Sequence, residues 1–341
     1  MLDNYLFLKN VFLKKESSHL LTRIDTIVFD IDGVLVNVDS SYYQTIKDTV
    51  KFYFENILKM PLPAELAEKE VILKFKMIGG FNDDWELCAA LILFYLWKMK
   101  EYRIPLTVDL LSKPPLISNF IEEHLADGGG LPTMVRWLKD RATHPEEIFS
   151  IWNQEQIFQI AKEFYAGEQY CYDFYHFHPD YIKKAEGNIA RETTLFEPEL
   201  VNFIKKYHIG IFTGRSGPET AYVLKKIGWL NWLLPESIVT FDHQIKKPSP
   251  SGLEILSEIF QSETGLYIGD TMDDFLTVQN INKKFQVTKY LSAIITGQNL
   301  REKMEKERVF LPKGVDLLGE NVNEVVRLLA DIYDGREYIT Q

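Results

Sequence analysis

The chain has 341 residues, and an apolar content of 46% is that of a folded protein with an ordinary core. Its 38 Lys and Arg face 49 Asp and Glu, and the formal net charge of −11 argues against nucleic acid or an anionic membrane surface as a partner. Two cysteines, Cys88 and Cys171, with no CxxC, argue against a disulfide framework or a structural zinc site and make a reducing cytoplasm the expected location.

The N-terminal "MLDNYLFLKNVFLKK" has Asp3 and Asn4 where a signal peptide carries positive charge, and Lys9 interrupts its apolar run. The next stretch, "TIVFDIDGVLV" (26–36), reads as a buried strand that ends in two carboxylates, Asp30 and Asp32. Unpaired carboxylates are costly to bury, so a positive partner or some chemistry is expected there.

Residues 37–192 show no strand alternation and predict a mostly helical insertion. Ser40 or Ser41 is placed to cap a helix running to about Lys59, which Pro61 and Pro63 break. Residues 64–77 are helical again and stop at Gly79-Gly80. Asp83 or Asp84 then caps a helix through Trp97. The apolar run 88–97 is too short to span a bilayer and reads as a buried helix, so no membrane association is expected. Residues 102–130, rich in Pro, Gly and Ser, predict loop with short elements, and helices resume over 133–138 and 146–166.

From residue 193 strands and helices alternate. The strands are "IGIFT" (209–213), "SIVTF" (237–241), "LYIG" (266–269), "SAIIT" (292–296) and "GVDLLG" (314–319). The helices between and after them cover 218–227, 252–260, "DDFLTVQNIN" (273–282), 298–308 and 322–332. Short apolar strands between helices predict a parallel sheet covered on both faces. The expected fold is therefore α/β, a doubly wound parallel sheet built from 1–36 and 193–341, with 37–192 as an inserted helical domain.

Ligands of such sheets bind outside the C-terminal strand ends. Four polar motifs fall there: Asp30-x-Asp32, Thr213-Gly214-Arg215, "KKPSP" (246–250) and "GDTMDD" (269–274). Each alone has a plainer explanation. An Asp after a strand commonly caps a helix or makes an Asx-turn, Thr-Gly is turn chemistry, and acids gather at helix N-termini. Four such motifs in order, each at a strand end, are not explained that way.

Together these motifs resemble those of the haloacid dehalogenase (HAD) superfamily of phosphohydrolases. "FDIDGV", Thr213, Lys247 and "GDTMDD" match its four motifs in order. A helical insert directly after the first motif resembles an enlarged type 1 cap, as in subfamily IA. The resemblance implies a Mg²⁺-dependent phosphatase acting on a small phosphorylated metabolite through an aspartyl-phosphate. It makes Asp30 the nucleophile and Asp32 the general acid and base. Asp30, the backbone carbonyl of Asp32, and Asp270 become metal ligands, and Asp274, or else Asp273, becomes an outer acid of the metal site. Thr213 and the amide of Gly214 would hold a phosphoryl oxygen, and Lys247 would neutralise charge on the transferring group. The superfamily's dehalogenases lack an acid at the position of Asp32, which argues against dehalogenation. A phosphomutase would use the same residues, a phosphonate hydrolase would need a cap lysine such as Lys47 or Lys51, and a non-catalytic binding protein would have no need of the full set.

Within the insertion, "GGFNDDWEL" (79–87) resembles a cap signature of a poorly characterised subfamily IA group, some of it labelled histidinol-phosphatase-like. It offers Asn82, Asp84 and Trp85 to a polar ligand; the plainer explanation is an N-cap with Trp85 packed. "YCYDFYHFHPDY" (170–181) carries His176 and His178 without a third metal ligand, and reads as aromatic packing between helices or at a homodimer contact.

Overall fold

The computed structural model describes residues 2–81, 83–124, 130–284 and 289–335. The chain divides into two compact units, Met1–Asn37 with Thr193–Gln341, and Val38–Glu192. Among the described residues the first holds every strand: β1 (Tyr5–Leu8), β2 (Val11–Lys14), β3 (Thr26–Phe29), β4 (Val36–Asn37), β5 (Thr193–Thr194), β6 (His208–Phe212), β7 (Ile238–Val239), β8 (Thr264–Gly269), β9 (Lys289–Ile295) and β10 (Leu317–Gly319). Eight of them form one sheet in the order β1-β2-β10-β9-β8-β3-β6-β7. From β10 to β7 all neighbours are parallel. All residues of β3 and β8 are buried, as a sheet covered on both faces requires.

The sheet differs from expectation at one edge. β1 and β2 form an N-terminal hairpin, and β2 pairs antiparallel with β10. Lys9 and Asn10 make its turn with positive φ values of 47° and 64°. The strands are only four residues each, and the turn has no glycine, so the sequence carries little hairpin signal.

Helices Gly217–Lys226, Ser251–Phe260, Met272–Lys284, Leu300–Lys313 and Val322–Tyr333 follow the strands and cover the sheet. Val322–Tyr333 is strongly amphipathic and buries Val322, Val325, Val326, Leu328 and Leu329. On one face of the sheet, Val28, Phe212, Val239 and Tyr267 pack with Leu253, Leu256, Val278 and Ile281.

The helical unit contains Gln44–Phe52, Lys69–Ile78, Asp84–Tyr102, Val108–Ser112, Ile117–His124, Gly130–Arg141, Pro145–Phe149 and Gln154–Tyr175. Its centre is Asp84–Tyr102, where every residue from Cys88 to Trp97 is buried. Asp83 caps this helix through the amides of Trp85 (3.0 Å) and Glu86 (3.4 Å). Neither Ser40 nor Ser41 caps a helix. Gln44–Phe52 starts without a side-chain cap, and the Ser41 hydroxyl instead donates to Glu192 Oε1 at 3.0 Å. The helix expected from residue 64 begins at Lys69. Gln154–Tyr175 is broken at Gly167 (φ 64°), where Glu168 and Gln169 donate to the carbonyls of Lys184 and Ala185. Among the described residues no helix is long and apolar enough to cross a membrane.

Candidate active site

β3 lies between β8 and β6 in parallel register, with Phe29 opposite Ile268 on one side and Ile211 on the other. The residues that follow these three strands therefore leave the sheet within one residue of the same level. They are Asp30 after β3, Thr213 after β6 and Asp270 after β8. The Asp30 amide donates to Ile268 O (2.9 Å) and that of Thr213 to Val239 O (3.0 Å), so both backbones are fixed to the sheet.

Asp30 is 4% exposed, and its Oδ1 accepts from the Ile31 amide at 2.8 Å. Lys247 Nζ lies 3.0 Å from Asp30 Oδ2 and 2.7 Å from Asp274 Oδ1. Asp274 is held from every side: Tyr267 Oη donates to Oδ1 (2.8 Å), while the amides of Asp270 (3.1 Å) and Thr271 (2.9 Å) and the Thr271 hydroxyl (2.7 Å) donate to Oδ2. Burial works against its ionisation, but Lys247 and these donors hold its carboxyl below the usual range. Burial alone would likewise lower the Lys247 ammonium, yet Asp274 and Asp30 keep it above its ordinary value. Asp30 goes the other way. Burial first, then the negative charge of Asp274, Asp32 and Asp270, push it up to about 8 against the pull of Lys247.

Asp30, Asp270 and Asp274 each offer a carboxylate oxygen within 4.8 Å of the others. The donor set is all oxygen, with no thiolate or imidazole, which suits a hard divalent cation. Three carboxylates gathered this closely concentrate negative charge that such a cation would relieve. The residues present thus fit a metal. Asp273 is buried, but its carboxylate is not in the cluster. Gly33 turns the chain after Asp32 with φ 70°, and a Cβ there would fall 2.6 Å from Asp270 Oδ2, so only glycine lets the two loops meet.

Asp32 stands apart from the carboxylate cluster. Arg215, whose side chain is fully buried, donates to Asp32 Oδ1 from Nε (2.8 Å) and from Nη2. The Asp32 side chain is 27% exposed, the accessibility a proton shuttle needs. Thr213 is buried, its hydroxyl accepting from the Arg215 amide at 3.3 Å, and Gly214 is exposed. The site thus brings together Asp30, Asp32, Thr213, Lys247, Asp270 and Asp274. To these it adds Arg215, Tyr267 and Lys306, whose roles the sequence motifs do not assign. Lys306 Nζ lies 3.3 Å from Asp270 Oδ2.

In the helical unit, Trp85 is half-buried and packs on Tyr42 (5.7 Å between ring centroids) and Tyr165 (5.6 Å). Asp84 is buried and paired with Lys76 at 3.0 Å. Asn82 lies outside the described residues. Lys47 pairs with Glu65 at 3.6 Å, and Lys51 is exposed. His178 stacks on Tyr172 (4.9 Å), and among the described residues neither His176 nor His178 belongs to a metal-binding cluster.

No curated protein matches the sequence. Among solved structures, phosphatase Tt82 from Thermococcus thioreducens superposes with a TM-score of 0.56 at 24% identity, over 91% of this chain and 99% of that one. A structural-genomics target superposes with a TM-score of 0.59 at 15% identity, over 91% and 100% of the two chains. Both share the fold. The family model of haloacid dehalogenase-like hydrolases matches residues 24–282, which takes in all four strand-end motifs. The chain belongs to the haloacid dehalogenase-like hydrolases.

Proposed function

We propose that the chain is a phosphatase that hydrolyses a phosphomonoester of a small metabolite, with Asp30 as nucleophile and Asp32 as general acid and base. The observation that carries this reading is the position of Asp30. It is buried at a strand end, 3.0 Å from Lys247, in a carboxylate cluster that fits a cation. A Mg²⁺ ion held by Asp30, Asp270 and the backbone carbonyl of Asp32, with Asp274 as the outer acid, would neutralise a phosphate that the carboxylates alone would repel.

Asp30 attacks phosphorus, the ester P–O bond breaks, and Asp32 gives its proton to the leaving alkoxide. The resulting aspartyl-phosphate is opened by a water whose proton returns to Asp32. A carboxylate is a weak nucleophile; a bound cation together with Lys247 would hold Asp30 ionised against its burial, and the covalent route divides one hard step into two. The Thr213 hydroxyl and the Gly214 amide bind a phosphoryl oxygen. Lys247 offsets charge on the transferring group, help worth about 2.7–4 kcal/mol for a preorganised donor. Arg215 grips Asp32 Oδ1 and so leaves Oδ2 for the proton. Residues 38–192 act as the cap that sets substrate choice, with Trp85 and Asn82 in its signature. The two cysteines are free and buried, as suits a reducing cytoplasm.

The test is phosphate release from a panel of phosphomonoesters with Mg²⁺ present. The unaltered protein should turn over at least one of them, and Asp30→Asn should lower the rate at least about 10³-fold. No turnover across a broad panel, or full activity in Asp30→Asn, would refute the reading.

A further inference from the structure

Asp270 has a basic neighbour that hydrolysis as described above does not use. Lys306 belongs to Leu300–Lys313, in the stretch "REKMEKER", yet it is only 3% exposed. Its ammonium has three oxygen neighbours: the Ile295 carbonyl (3.0 Å), Asp270 Oδ2 (3.3 Å) and Glu302 Oε1 (3.5 Å). An ammonium has three protons to donate, so these neighbours pin it in place. The loop after β3 passes close to the same Asp270 oxygen, since a Cβ on Gly33 would lie 2.6 Å from Oδ2. Oδ2 is thus boxed between Gly33 and a fixed positive charge.

We propose that Lys306 is a positioning residue that makes Asp270 a one-oxygen ligand and so sets the site's preference for Mg²⁺ over Ca²⁺. The inference rests on the carboxylate cluster being a cation site, as in the proposed function. Mg²⁺ demands near-octahedral ligation at about 2.0–2.1 Å, whereas Ca²⁺ takes about 6–8 oxygens at longer distances and readily uses both oxygens of one carboxylate. A cation bound through both Asp270 oxygens would have to displace Lys306 from Oδ2. The buried ammonium would lose the nearer of its two carboxylate partners and keep only Glu302, an expensive exchange. Ligation through one oxygen leaves the Lys306 contact intact. The arrangement therefore penalises the ion that gains most from two-oxygen binding.

The experiment is calorimetric titration of the full chain with Mg²⁺ and with Ca²⁺. For Lys306→Met the ratio of Ca²⁺ to Mg²⁺ affinity should rise about tenfold, the lower end of what loss of a ligand's outer partner does to metal sites. Lys306→Arg, which keeps a donor and a charge, should retain the unaltered ratio. A merely structural lysine would weaken both ions alike. An unchanged ratio in Lys306→Met would overturn the inference and leave the cation site standing; no Mg²⁺ binding by the unaltered protein would overturn both. A crystal structure of the unaltered protein with Mg²⁺ tests the same point without a variant. Lys306 should remain on one Asp270 oxygen with the ion on the other, and an ion held by both oxygens would contradict the inference.

Discussion

Asp30 and Asp32 are two residues apart in sequence and sit in different electrostatic surroundings. Asp30 is buried, shares Lys247 with Asp274, and is pushed upward by burial and by neighbouring carboxylates. Asp32 is partly open and gripped through one oxygen by Arg215. A carboxylate with restricted access and a cationic partner suits attack, and one that reaches water suits proton transfer. Lys247 is what makes the buried pair tolerable. Lys247→Met should lower unfolding stability by about 3–5 kcal/mol, because it strands two buried carboxylates, and should also reduce turnover at least about 10²-fold. Chemical denaturation and steady-state kinetics on one preparation check both. A variant of unchanged stability would mean that Asp30 and Asp274 do not depend on Lys247.

The strands that carry the site are also tied together at the opposite end. Asp25, just before β3, accepts from the hydroxyls of Ser262 (2.6 Å) and Thr26 (2.7 Å) and the amides of Glu263 (2.8 Å) and Thr264 (3.0 Å). Its amide donates to Thr264 O (3.0 Å) and its carbonyl accepts from the His208 amide (2.9 Å), so one residue links the starts of β3, β8 and β6. Burial opposes ionisation of Asp25, but the hydrogen bonds win and hold its carboxyl below 3.8. A carboxyl depressed in the folded state stabilises above its unfolded pKa of about 3.9, and that contribution is lost as pH falls through the lower folded value. Asp25→Asn should therefore cost about 1 kcal/mol at neutral pH, a figure discounted for solvent screening at a half-exposed site. The deficit should shrink as pH falls below about 4. Urea unfolding of both proteins across pH measures this, and a deficit that stays constant with pH would show that the charge of Asp25 contributes nothing.

At the scale of the whole molecule, the parallel strands were legible because each is a short, mostly apolar run between helical segments. The motif residues Asp30, Thr213 and Asp270 could be placed directly after three of these strands, whereas Lys247 lies in the loop that follows β7. The hairpin of β1 and β2 was not legible, since two four-residue strands joined by Lys9-Asn10 resemble any short amphipathic segment. Arg215 and Lys306 were hidden differently. Their partners, Asp32 and Asp270, are 183 and 36 residues away in sequence, and a basic residue in a turn or a charged helix reads as solvated. One signal for Lys306 was available: it lies four residues before the buried Phe310, on the inward face of its helix. What no local pattern supplies is whether a helix face meets solvent or a neighbour. The central claim is a covalent one, that Asp30 takes the phosphoryl group from substrate. Its most direct measurement is mass spectrometry of peptides from enzyme quenched in acid during turnover with Mg²⁺. A single phosphoryl adduct is expected on the peptide containing Asp30, confined to that side chain and missing from Asp30→Asn. Turnover with no adduct on Asp30, or with the adduct on another residue, would contradict it.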